Sequence, residues 1–156
     1  MNVTTVDNFV SPQFTEALRT TVLLDRKHSF NMSSVGVFPF YSVDFDIKEP
    51  IVENILDKIN KTLNTNYTVK RVYANIQYSG MDGTWHTDDG DVTALLFINE
   101  PLEGGNFEIR VSKGGTQTIE PTPGRLIVFE GKNLHRGLSS STLAIPRISL
   151  AFKLWK

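Results

Sequence analysis

The feature that most constrains this chain is a change of period near Thr68. Before it, apolar residues recur at helical spacing. After it they come in short runs, VKRVYANIQY, VTALLFIN, GNFEIRV, TQTIE, RLIVFE and RISLAFKLW, separated by turns that carry Gly, Pro or Asp. Helices followed by a run of strands indicate an α+β chain, mainly β, with a mostly antiparallel sheet, sandwich or barrel. In the helical part, Ser11-Pro12 reads as an N-cap and first helical residue ahead of Phe14, Leu18 and Val22. A second amphipathic helix is expected from about Glu49 to Leu63, where Ile51, Ile55, Ile59 and Leu63 fall four apart with Val52 alongside. Between the two, Asp25 to Lys48 is irregular and rich in aromatics; we expect a loop there, with Phe30 to Phe45 as a lid.

At 156 residues the chain fits one domain, with a helical part over about 1–66 and a β core over about 67–156. It shows no internal repeat, linker or low-complexity tract. The absence of cysteine excludes disulfides, thiolate metal sites and a Cys nucleophile, which leaves His, Asp and Glu as metal ligands. Sixteen Lys and Arg against 17 Asp and Glu give a net charge of −1, so no overall basic field points to nucleic acid as a partner. The N-terminus lacks the pattern of a signal peptide, and no apolar run reaches the length of a membrane span; the expectation is a soluble, cytoplasmic chain with no membrane partner.

Two strands alternate clearly enough to assign faces. In RISLAFKLW, Ile148, Leu150, Phe152 and Leu154 form an apolar face, and Arg147, Ser149, Ala151 and Lys153 the other. In RVYANIQYS, Val72, Ala74, Ile76 and Tyr78 share one face, and Arg71, Tyr73, Asn75 and Gln77 the opposite one. If the sheet curls, such polar faces converge on an interior instead of solvent.

The stretch GTWHTDDGD, residues 83–91, sets three carboxylates close to His86. On an extended backbone His86 and Asp88 leave one face, Asp89 points away and Asp91 belongs to the turn after Gly90. An H-x-D alone is weak evidence, since an acidic turn is usually just a solvated turn. His135 lies 49 residues further on at the end of another apolar strand, and Arg147 a further 12 on. Two histidines and a carboxylate on one face of an octahedral ion leave positions open, as in non-haem Fe(II) oxygenases, and an arginine supplies a fork of donors for a carboxylate.

From about Arg71 to Trp155 the sequence resembles the Fe(II)/2-oxoglutarate-dependent dioxygenases, most closely their prolyl-hydroxylase-like branch. The resemblance rests on YSGMDGTWHTDDGD, VTALLFINE, GGNFEI, PGRLIVFEGKNLHRG and RISLAFKLW in that order. It implies a double-stranded β-helix, or jelly-roll, with supporting N-terminal helices outside. It implies His86, Asp88 and His135 as iron ligands, and Arg147 with Ser149 as the partners of the distal carboxylate of 2-oxoglutarate. Tyr78 matches a tyrosine that approaches the cosubstrate, with Asn75 as a competing candidate because Ser79-Gly80 obscures the register. Phe97 departs from relatives that carry a cosubstrate-binding tyrosine. The cofactors implied are Fe(II), 2-oxoglutarate and dioxygen; the partner is a peptide, protein or small-molecule substrate, a peptidyl prolyl-like residue first. Asp88 favours hydroxylation over halogenation. An AlkB-type nucleic-acid or small-molecule oxygenase and a non-enzymatic β-sandwich binding module with an incidental metal site are the alternatives. His28 is read as a loop histidine, Arg136 as a solvated arginine, and Gly104-Gly105 as a tight turn.

Overall fold

The computed structural model describes residues 3–32, 39–111 and 114–156. Helix α1 (Pro12–Thr20) begins as its sequence dictates: Ser11 is extended, and its hydroxyl accepts the Phe14 N–H at 3.2 Å. The α-helical bonding stops at Thr20, and Thr21–Asp25 continue as one π-helical turn, in which Val22 is still buried as the periodicity predicts. Helix α2 (Pro50–Leu63) starts after Glu49 and ends at Asn64, whose left-handed φ of 53° closes the helix. Among the described residues no helix is long and apolar enough to cross a membrane.

Ten strands are found among the described residues. They are β1 (Thr4–Val6), β2 (Ser29–Met32), β3 (Pro39–Phe45), β4 (Thr68–Gln77), β5 (Val92–Phe97), β6 (Phe107–Arg110), β7 (Thr116–Ile119), β8 (Leu126–Glu130), β9 (His135–Gly137) and β10 (Arg147–Trp155). Seven form a large sheet in the order β1-β8-β5-β10-β4-β3-β2, and three a small one in the order β7-β6-β9. Every pairing is antiparallel. The two sheets face each other as a jelly-roll, with both helices on the outer face of the large one.

Within the loop expected over residues 25–48, Ser29–Met32 and Pro39–Phe45 are instead strands. β3 pairs with β4 through Tyr41↔Ile76 and Val43↔Ala74, and β2 pairs with β3. Buried Val43 and Phe45 alternate with exposed Asp44, a two-residue period hidden by the aromatics around it. Residues 33–38, the middle of the expected lid, lie outside the described residues.

Alternation along the central strands produces two cores. Ile148, Leu150, Phe152 and Leu154, with Val72, Ala74 and Ile76, pack against Leu18, Val22, Val52, Ile55 and Ile59 of the helical layer. Leu95, Phe97, Ile127, Phe129 and Ala151 pack against Phe107, Ile109 and Ile119 between the sheets. The second core fills only part of that space, and the polar residues of β4 and β10 line the remainder.

Candidate metal centre and anion slot

The backbone holds the two histidines together before any side chain is considered. The His86 N–H donates to the His135 carbonyl at 3.0 Å and the His135 N–H returns to the His86 carbonyl at 2.9 Å, an isolated antiparallel bridge beside β9. Their rings lie 4.4 Å apart. The Asp88 loop is pinned to the end of β8 by the Asp88 N–H on the Gly131 carbonyl (2.7 Å) and the Gly131 N–H on the Asp91 carbonyl (3.0 Å). Gly131 is required there, because a Cβ would fall 2.1 Å from the Gly90 carbonyl oxygen.

One ligand atom each from His86, Asp88 and His135 lies within 4.8 Å of the others. Nδ1 of His86 meets the Thr84 carbonyl at 2.8 Å, and Nδ1 of His135 meets the Asn133 carbonyl at 2.8 Å. A carbonyl only accepts, so each ring directs an Nδ1–H to the backbone and turns Nε2 inward. Burial first, and then the neighbouring His135, hold His86 below the ordinary imidazole value. Burial by itself would raise the Asp88 pKa, but His135 and Lys153 outweigh it and hold the carboxyl well below the usual range. Two imidazoles and one carboxylate converging on a point, with the far side open to a cavity of about 390 Å³, fit a divalent metal with positions to spare.

The same cavity is lined by Arg147, Ser149, Asn75 and Gln77. Arg147 is 2% exposed and has no carboxylate beside it. Its Nε donates to the Gly105 carbonyl (2.8 Å), and its Nη1 donates to Gln77 Oε1 (2.8 Å) and Ser149 Oγ (3.3 Å). Its Nη2 is buried with no partner. Desolvation lowers its pKa to about 10, still high enough to keep it charged near neutral pH. A buried cation with one unused donor and no counter-ion is costly in an empty protein and suited to an anion that enters the cavity.

The fold has close counterparts among solved structures. A Pseudomonas putida prolyl-4-hydroxylase superposes with a TM-score of 0.72 at 19% identity, covering 97% of this chain and 91% of that one. A Burkholderia pseudomallei oxidoreductase of the 2OG-Fe(II) oxygenase family gives 0.74 at 14% identity, covering 97% and 84%. The viral collagen prolyl hydroxylase of Paramecium bursaria Chlorella virus-1, solved with 2OG, gives 0.68 at 16%, covering 97% and 94%. The chain has a prolyl-hydroxylase-like 2OG-Fe(II) oxygenase fold. No protein-family profile matches it, and no curated protein sequence does.

Within this oxygenase fold the structure brings His86, Asp88, His135, Arg147, Ser149 and Asn75 to one cavity. Tyr78 is placed elsewhere. It follows the end of β4 on the helix-side face, is 36% exposed and meets the Tyr41 ring edge-on at 6.1 Å. Asn75 sits on the cavity face beside Ser149, and its Oδ1 is buried and unpaired. Phe97, where a tyrosine was expected from relatives, lies beneath the guanidinium, with the Arg147 Cζ 5.4 Å from its ring centre. A ring face there supports the arginine, so the missing hydroxyl leaves no gap in its support.

Asp89 turns to Lys70 (2.9 Å) and Arg71 (3.1 Å) at the rim, and Asp91 accepts from the Lys156 N–H at 3.1 Å. Arg136 is paired rather than solvated: it meets Glu108 at 2.7 Å and stacks on Trp85. His28 Nε2 meets the Val22 carbonyl at 2.7 Å.

Sequence reasoning named Gln77 and Lys153 only as polar-face residues and did not single out Thr93. Gln77 spends its amide nitrogen on the Met81 and Gly137 carbonyls (2.8 and 3.0 Å), which fixes the oxygen that receives Arg147. Thr93 donates to Asp88 Oδ2 at 2.6 Å, and Lys153 forms a close ion pair with the same oxygen. The signal for Gln77 and Lys153 was their parity with Asn75 and Arg147. Thr93 sits within a fully buried strand and gave none.

Proposed function

We propose that this chain is an Fe(II)/2-oxoglutarate-dependent dioxygenase, a single catalytic domain that couples decarboxylation of 2-oxoglutarate to hydroxylation of a substrate C–H bond. The observation that carries this reading is Arg147: a buried, uncompensated guanidinium with a free Nη2 in the cavity that also holds the His86-Asp88-His135 cluster. A metal cluster alone would fit many reactions. A metal cluster that shares a cavity with an unpaired cation fits a ligand that chelates at one end and carries an anion at the other.

In this reading Nε2 of His86, Nε2 of His135 and one oxygen of Asp88 hold the iron. Arg147 Nη2 and the Ser149 hydroxyl bind the distal carboxylate of 2-oxoglutarate, and the side-chain amide of Asn75 lies beside them. When bound, iron and the oxo acid supply the oxidative decarboxylation by dioxygen that yields succinate and carbon dioxide and oxidises the substrate. The protein contributes placement. Leu95, Phe107, Phe129 and Ala151 wall the cavity with apolar surface, which limits water at the centre. Asn31 of β2 and Phe40 of β3 also line it, so the hairpin found in place of the expected loop helps shape the substrate side.

For the substrate we propose a peptidyl, prolyl-like residue, supported by the prolyl hydroxylases among the structural neighbours. The test is succinate release under Fe(II), 2-oxoglutarate and air, screened against proline-containing peptides, free amino acids and methylated oligonucleotides. Product with peptides, abolished by His135→Ala, supports the proposal. Product only with oligonucleotides replaces the substrate. If Fe(II) and 2-oxoglutarate give no visible charge-transfer band without oxygen, and no succinate with it, the enzyme reading fails.

A further inference from the structure

Two cations project from β10 into the cavity, and they are not alike. Arg147 has no acid beside it, whereas Lys153, with a side chain 4% exposed, is ion-paired to Asp88, a member of the metal cluster itself. Around the ammonium lie Asp88 Oδ2, the Thr93 hydroxyl at 3.5 Å and the face of Tyr73 at 5.6 Å. Three contacts fall on one carboxylate oxygen: Oδ2 takes the Lys153 ammonium and the Thr93 hydroxyl at 2.6 Å, and faces His135 Nε2 at 3.3 Å. Oδ1 is left facing His86 Nε2 at 3.8 Å.

We propose that Lys153 is a resident counter-cation of the metal centre, a positioning residue that neutralises Asp88 when no metal is bound and leaves Oδ1 as the coordinating oxygen. The inference rests on the reading of His86, Asp88 and His135 as metal ligands. Without a cation, a buried carboxylate would stand in a low-dielectric site with no full positive charge beside it. The ammonium supplies the missing charge, so the empty site holds together. The same charge then opposes a divalent ion a few ångströms away, so Lys153 trades metal affinity for stability of the metal-free fold. A lysine that serves packing alone would not link the two properties with opposite signs.

The test compares the native chain, Lys153→Met and Lys153→Arg by Mn(II) titration without cosubstrate and by thermal melting in chelator and in saturating Mn(II). Lys153→Met is expected to bind Mn(II) about tenfold tighter or more, to melt lower than the native chain in chelator, and to recover most of that loss in Mn(II). Lys153→Arg, which keeps the charge, is expected to stay near native affinity. Unchanged or weaker Mn(II) binding by folded Lys153→Met overturns the inference, as does a Lys153→Met chain that Mn(II) does not bring to fold. If neither the native chain nor Lys153→Met binds Mn(II), the metal-centre reading falls as well, an outcome distinct from native binding that the substitution leaves unimproved.

Discussion

Gly137 stands where a side chain would displace Arg147: a Cβ at that position would lie 3.0 Å from Arg147 Nη1 and 3.1 Å from Gln77 Oε1. β9 therefore contributes a candidate metal ligand at its first residue, His135, and room for the unpaired guanidinium at its last. The substitution Gly137→Ala is expected to raise the KM for 2-oxoglutarate about tenfold while Mn(II) affinity stays within about twofold, because it disturbs the arginine by a few tenths of an ångström and touches none of the ligands. Steady-state kinetics beside metal titration checks this.

Arg147→Met should separate stability from binding. A charged, hydrogen-bonded contact to a carboxylate contributes about 1.5–3 kcal/mol, so 2-oxoglutarate affinity is expected to drop by tenfold to more than a hundredfold. Removing an uncompensated buried cation is expected to leave the ligand-free melting temperature unchanged or higher. Melting with and without 2-oxoglutarate reads both effects; a ligand-free form much less stable than native would contradict the account.

His135→Ala is expected to abolish the increase in melting temperature that Mn(II) gives the native chain. The ring also packs against Phe129 at 4.7 Å and Phe107 at 5.6 Å, so the truncation should cost about 1–3 kcal/mol of stability through the space it opens. His135→Gln fills more of that space and should recover part of the stability without recovering the metal response.

A separate prediction concerns acid. Arg26 donates to both carboxylate oxygens of Glu49, at 2.7 and 2.5 Å, and holds its pKa down to about 2 from an ordinary 4.5. A carboxyl with a depressed folded-state pKa stabilises fully above its unfolded value, and that contribution disappears as pH falls through the folded one. Glu49→Gln should therefore melt below native at pH 6, with the gap closing between about pH 4.5 and pH 2. Melting curves across that window measure it.

The large features were legible because each follows from a periodicity. The shift to strand spacing at Thr68, the N-cap at Ser11 and the two-faced pattern of β10 are local signals, and the fold honours them. Parity puts Asn75 on the polar face and Tyr78 with Val72, Ala74 and Ile76; Tyr78 rests on the resemblance, and the Ser79-Gly80 kink, whose direction no local rule supplies, leaves Asn75 as its competitor. The β2–β3 hairpin was missed because its stability comes from β4, about 30 residues further along the chain. Gln77 and Thr93 matter through partners 70 and 5 residues away, at Arg147 and Asp88. The Gln77 partnership depends on which strands become neighbours, and the order β5-β10-β4 cannot be read from alternation.

β10 is the strand latest in chain order, yet it lies in the middle of the large sheet, between β4 and β5. During synthesis those two strands must wait, each with an unpaired edge, until residues 147–155 leave the ribosome. A nascent chain halted before Arg147 would already carry His86, Asp88 and His135. It would lack both cavity cations of β10, and it would display two adhesive edges of the kind that recruit other chains. Insertion of one strand thus closes both edges and completes the candidate anion slot in a single step.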